Sequence, residues 1–108
     1  MFYLHDEKNE KKLENGVIRT VKGYINDLMV CELKWDKGMV GTVHTHPHSQ
    51  CGYVLKGSFE ADIEGEKQIL KAGDCFYAEP DRPHGLICLE DGSVLLDIFT
   101  PHRADFLN

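Results

Sequence analysis

The stretch Val43-His44-Thr45-His46-Pro47-His48-Ser49-Gln50 constrains this chain more than any other. It sets three histidines and a glutamine at alternate positions. In an extended chain, residues two apart point to the same face. His44 and His46 therefore aim two imidazoles one way, and Gln50 shares their parity. A further histidine, His84, follows Pro80-Asp81-Arg82-Pro83, a turn stiffened by its two prolines. Imidazoles presented together with an amide oxygen make a donor set for a divalent transition metal. The pattern predicts one such ion held by His44, His46, Gln50 and His84, and zinc, nickel, iron or manganese would each suit it. Histidines at a strand end can also simply face water, which a lone histidine would favour. His48 has the same parity as Gln50 and rivals it, although Pro47, just before it, interrupts simple alternation there.

The flanking chain reads as strands and tight turns. Val17 to Tyr24 is β-branched and alternating, and Leu28 to Trp35 follows an Asn26-Asp27 turn. Asp36-Lys37-Gly38 turns again, with Gly38 free to take positive φ. After the histidine strand come Cys51 to Leu55 and a segment in which Phe59, Ala61 and Ile63 alternate with Glu60, Asp62 and Glu64. Lys67 to Leu70, Cys75 to Ala78, His84 to Leu89 and Val94 to Thr100 complete the series. Roughly nine or ten short strands, recurring about every 8–12 residues without a convincing helix, predict an all-β sandwich or barrel. An antiparallel barrel with a metal in its mouth is the expected outcome. The 108 residues suit one domain. Residues 1–15 form an N-terminal segment, 16–100 the barrel and 101–108 a tail. Within the first segment, Phe2 to Leu4 is apolar and Asp6 to Asn15 reads as a charged, solvated connection.

Charge narrows the partners. The formal net charge is −6, with Lys and Arg scattered, so phosphate backbones are repelled and nucleic acid is a poor partner. The same charge opposes an anionic small molecule unless the site supplies a local positive field. No run of about 18 apolar residues is present, so no membrane span is expected. Met1 to Glu10 turns charged at once and lacks an apolar signal core, which points to a cytoplasmic protein. Cys31, Cys51, Cys75 and Cys88 have no C-x-x-C pairing and strand-like neighbours, so they are expected as reduced, small core residues. Cys51 is on the face opposite Gln50 and is not expected to ligate. Trp35, Phe59 and Tyr77 read as core or sheet-packing aromatics.

In the last strand, Leu95, Asp97 and Phe99 share one face, and Val94, Leu96 and Ile98 take the other. An aspartate inside an apolar strand must be hydrogen-bonded, paired or functional. It is either a buried partner of Arg103 or Arg19, or a general acid/base reaching into the barrel. Arg103, just past Pro101, offers either a fork for a substrate carboxylate or a partner for Asp105.

Gly38, His44-x-His46, Gln50 and Gly57 together resemble the first motif of the cupin family, with Gln50 where most cupins carry Glu. Gly73-Asp74 through Pro80 to Pro83-His84 resembles the second, with Asp81 at the usual glycine and Cys88 at the usual asparagine. The resemblance implies a double-stranded β-helix, or jelly roll. A closer likeness rests on His-x-His-Pro-His-x-Gln, on Gly52-Tyr53-Val54-Leu55, and on the ending Leu96-Asp97-Ile98-Phe99-Thr100-Pro101-x-Arg103-x-Asp105-Phe106-Leu107. These are similar to the pectin-degradation cupins of the KdgF type, which linearise 4,5-unsaturated monouronates to open-chain keto forms. That resemblance implies metal ligands at His44, His46, Gln50 and His84, and a substrate site formed by Asp97, Phe99 and Arg103. It also implies a sugar-acid substrate and a homodimer. The same ending occurs in many small cupins, so an iron or manganese oxygenase and a non-catalytic sugar-binding module stand as alternatives. Three imidazoles and an amide would leave the ion's +2 charge uncompensated, which favours binding of carboxylate or alkoxide oxygens.

Overall fold

The computed structural model describes residues 1–107, and among them ten strands form. They are β1 (Glu10–Lys12), β2 (Ile18–Ile25), β3 (Leu28–Trp35), β4 (Val40–His44), β5 (Ser49–Lys56), β6 (Ser58–Ile63), β7 (Glu66–Lys71), β8 (Cys75–Ala78), β9 (His84–Cys88) and β10 (Ser93–Thr100). A six-stranded sheet runs β1-β2-β3-β10-β5-β8 and a four-stranded sheet runs β4-β9-β6-β7, with antiparallel pairing throughout. The two sheets bury their facing sides against each other. This is the expected all-β cupin architecture, a double-stranded β-helix.

Period-two burial builds the core. Strand β3 buries Met29, Cys31, Leu33 and Trp35, and β10 buries Ser93, Leu95, Asp97 and Phe99. Because β10 pairs with both β3 and β5, Asp97 lies opposite Cys31 on one side and Gly52 on the other. Trp35 meets Phe59 edge-on across the core, with ring centroids 5.4 Å apart. Gly52 is required by close approach, since a Cβ there would fall 2.0 Å from Phe76 Cε2. Gly38 takes the expected positive φ, at 87°. Asp81, at the motif's usual glycine, adopts φ 62°, a conformation that Asp tolerates better than most residues.

Several expectations are corrected. The histidine strand ends at His44, and residues 45–48 are irregular before β5 begins at Ser49. His46 therefore lies past the end of β4, on the irregular segment before the bend at Pro47, and strand alternation alone does not place it beside His44. The charged segment Asp6 to Asn15 is more than a solvated connection. It contains a 3-10 turn, Glu7–Asn9, and β1, which pairs with β2 in the register Lys11↔Arg19. The C-terminal tail forms a second 3-10 turn, Ala104–Leu107, and packs Phe106 against the core; Asn108 lies outside the described residues. All four cysteines are free thiols, but only Cys31 and Cys88 are buried, while Cys75 is exposed. Tyr77 is 70% exposed on β8, because that edge strand turns its odd positions outward.

Candidate metal centre and its cavity

Four separate pieces of chain bring the predicted donors together. His44 ends β4 and pairs directly with His84 at the start of β9, their ring centroids 4.6 Å apart. His46 hangs from the irregular segment, held in place where the Asp81 amide donates to its carbonyl oxygen at 2.8 Å. The Pro80–Pro83 turn thus delivers His84 and also clamps His46. Gln50 enters from β5. One ligating nitrogen from each of His44, His46 and His84 lies within 4.8 Å of the others, so these three histidines are positioned to bind a metal ion.

The donor chemistry fits. His44 Nδ1–H donates to the Thr42 carbonyl and His84 Nδ1–H to the Arg82 carbonyl, each at 2.8 Å. Those bonds fix the tautomer and leave each Nε2 lone pair for a metal. His46 differs, because its Nδ1 accepts from the His48 amide at 3.3 Å and the ring proton sits on Nε2. Ligation through that nitrogen releases or relocates one proton. Burial pushes the His46 pKa down to about 4 against its opposing hydrogen bond to Gln50 Oε1, so the ring is neutral at pH 7. Burial also lowers the His84 pKa.

Gln50 faces two ways. Its Oε1 lies 2.8 Å from His46 Nε2 and 3.1 Å from His84 Nε2. Donors around one ion at about 2.1 Å stand roughly 3.0–3.4 Å apart, so the amide oxygen is at ligand spacing from His84, while the shorter contact to His46 is a hydrogen bond from its Nε2–H. Its Nε2–H donates to Asp97 Oδ1 at 2.9 Å. Asp97 therefore has neither Arg103 nor Arg19 as its hydrogen-bonding partner. Burial dominates its electrostatics and pushes its pKa up to about 7, opposed by the Gln50 hydrogen bond and the charge of Arg103. His48 lies beyond His46, with ring centroids 5.4 Å apart, and is absent from the converging triad.

His44, His84, Gln50 and Asp97 line a cavity of about 220 Å³ together with Arg19, Trp35, Phe76, Phe99, Arg103 and Phe106. Phe99 stands edge-on to His46 at 5.7 Å, and the Arg103 guanidinium carbon lies 5.2 Å from the Phe99 centroid. Arg103 also pairs with Asp105, with Nη2 2.8 Å from Oδ2. Sequence reasoning considered Arg19 only as a partner for Asp97 and missed it as a cavity residue. The signal was present, since Arg19 shares parity with Val17 and Val21 and so stands inward on β2.

The sheet topology and the histidine cluster together define a class. Residues 32–99 match the cupin domain family, Cupin_2, and the chain belongs to that family. Within it the relatives are specific. The chain is 46% identical to the pectin degradation protein KdgF of Dickeya dadantii (strain 3937) over 107 residues, covering 98% of this chain and 97% of that protein. It also superposes on the structure of KdgF from Halomonas sp. with a TM-score of 0.92 at 40% identity, over 97% and 96% of the two chains. A match to an RmlC-like cupin from Shewanella frigidimarina NCIMB 400 gives a TM-score of 0.90 at 36% identity, over 97% and 94%. The protein is thus a KdgF homologue.

Proposed function

We propose that this chain is a metal-dependent enzyme that converts 4,5-unsaturated monouronates, released in pectin or alginate breakdown, to linear keto forms. One observation carries the mechanism: a buried carboxyl, Asp97, is joined through Gln50 to His46 and His84, and Asp97, Gln50 and His84 line one cavity. The relatives' name, a pectin degradation protein, supports the substrate class. The cavity of about 220 Å³ is below the roughly 300–1,000 Å³ of sites for drug-sized ligands, and suits a single sugar ring.

A divalent ion held by His44, His46, Gln50 and His84 would polarise a substrate oxygen and supply positive charge that the −6 chain lacks overall. The remaining work falls to side chains. Ring opening removes the proton from the hemiacetal hydroxyl and breaks the ring C–O bond. The former ring oxygen becomes a keto oxygen beside the carboxylate, and the neighbouring carbon of the old double bond gains a proton. No electrons are exchanged with a second reagent. Asp97 carries that proton from oxygen to carbon, with Gln50 orienting its carboxyl. Phe99 packs on the sugar face and Arg103 adds positive charge beside it.

Metal-loaded protein incubated with unsaturated galacturonate should accelerate loss of the conjugated ultraviolet band, with no oxygen uptake. A rate equal to the spontaneous one would overturn the proposal, and substrate-dependent oxygen consumption would replace it with an oxygenase. A cytoplasmic homodimer belongs to the same reading. The exposed apolar residues Met1, Phe2, Leu4, Ile25 and Leu28 offer it a surface, which light scattering would test.

A further inference from the structure

Two guanidinium groups line the cavity, and only one of them is paired with an anion. Arg103 donates Nη2–H to Asp105 Oδ2 at 2.8 Å and Nε–H to Oδ1 at 3.3 Å, so part of its fork is already engaged. Among the described residues, no carboxylate lies within ion-pair distance of Arg19. Nor is Arg19 a freely solvated surface cation. It stands opposite buried Leu33 on the inner face of β2 and is half-buried. Its guanidinium carbon lies 3.7 Å from the centroid of Phe106, the same ring on which Arg103 stacks at 4.1 Å. Stacking on an aromatic face holds the guanidinium plane but leaves the N–H groups at its edge free to donate.

We infer that Arg19 is a specificity-determining residue, receiving the substrate carboxylate in a two-point contact while Asp105 holds Arg103. This rests on the uronate reading above and adds to it the group that selects an acid over its neutral analogues. A planar carboxylate matches the two parallel N–H groups of a guanidinium. Burial lowers the Arg19 pKa, as expected for a cation that has lost water, and an incoming anion would offset that loss. The arrangement also bears on how a chain of net charge −6 can attract an anion: two guanidinium groups line the cavity that His44 and His84 also line.

The test compares unsaturated galacturonate with its methyl ester on metal-loaded wild type, Arg19→Gln and Arg19→Lys. Arg19→Gln should raise KM for the acid by about 10- to 100-fold, with kcat changed far less and metal content unchanged. KM for the ester should stay within about twofold of wild type. Arg19→Lys keeps the cation without the fork, should fall between the two, and serves if Arg19→Gln does not fold. A wild-type KM for the acid in the folded variants would overturn the inference, as would equal losses on acid and ester. Wild-type protein inert on the uronate would instead overturn the functional reading, and this inference with it.

Discussion

Asp97→Asn in metal-free protein separates the electrostatic cost of the buried carboxyl from everything else in the cavity. Asn keeps the shape and retains an oxygen to accept from Gln50 Nε2, a bond of 2.9 Å in the wild type. Burial pushes the Asp97 pKa from 3.8 to about 7. The sign follows from linkage: a carboxyl with a raised folded pKa is favoured protonated, so its contribution is fully present below the unfolded value. It is lost as pH rises through the folded one. A shift of about 3 pH units at 1.36 kcal/mol each sets a ceiling of roughly 4 kcal/mol by pH 8. His46 titrates in the opposite sense, its neutral form being favoured down to about pH 4, but it is common to both proteins and cancels in their difference. Urea unfolding in the presence of a chelator should therefore show similar stabilities at pH 4. By pH 8 the Asn variant should be the more stable, by a margin that opens mainly between pH 4 and 7. A variant less stable than wild type by the same amount at both pH values would refute the argument. With metal and substrate present, the same variant should turn over about 10²–10⁴-fold more slowly, because the proton carrier is gone.

Other perturbations follow from the same geometry. His46→Ala should remove most bound metal by elemental analysis, whereas His48→Ala should retain it, since His48 stands outside the converging triad. Gln50→Glu should hold metal as well or better but weaken uronate binding in isothermal titration, because the site's charge falls from +2 to +1; it also sets a second carboxylate against Asp97. Gly52→Ala should cost about 1–3 kcal/mol in denaturant unfolding, since the added methyl must displace buried Phe76.

The donor set was legible because residue type and spacing carry it. Few local patterns other than metal binding explain His44, His46 and His84 beside Gln50, whatever path the chain takes between them. Strand alternation likewise revealed that Asp97 shares a face with Leu95 and Phe99, since parity in a strand is a covalent consequence of the pleat. The outward turn of Tyr77 and Cys75 was not legible, because an edge strand shows the same alternation whichever way its faces point. The bend that carries His46 past the end of β4 was hidden for a related reason. It depends on the Asp81 amide reaching the His46 carbonyl from a turn 35 residues further along the chain.

Sequence alone determined the strand periodicity, the histidine pattern that could hold a metal and the presence of one aspartate on the buried face of an apolar strand. Tertiary structure decided which of those groups meet. Gln50 joins His46 and His84 to Asp97 only because β5 lies between β8 and β10 and because β9 starts beside the end of β4. Arg19 shares the cavity with Arg103 only because the C-terminal turn folds Phe106 back against β2. Parity and donor type are local properties of a chain. Which side chains share one desolvated space depends on sheet order and register, set by pairings across many residues.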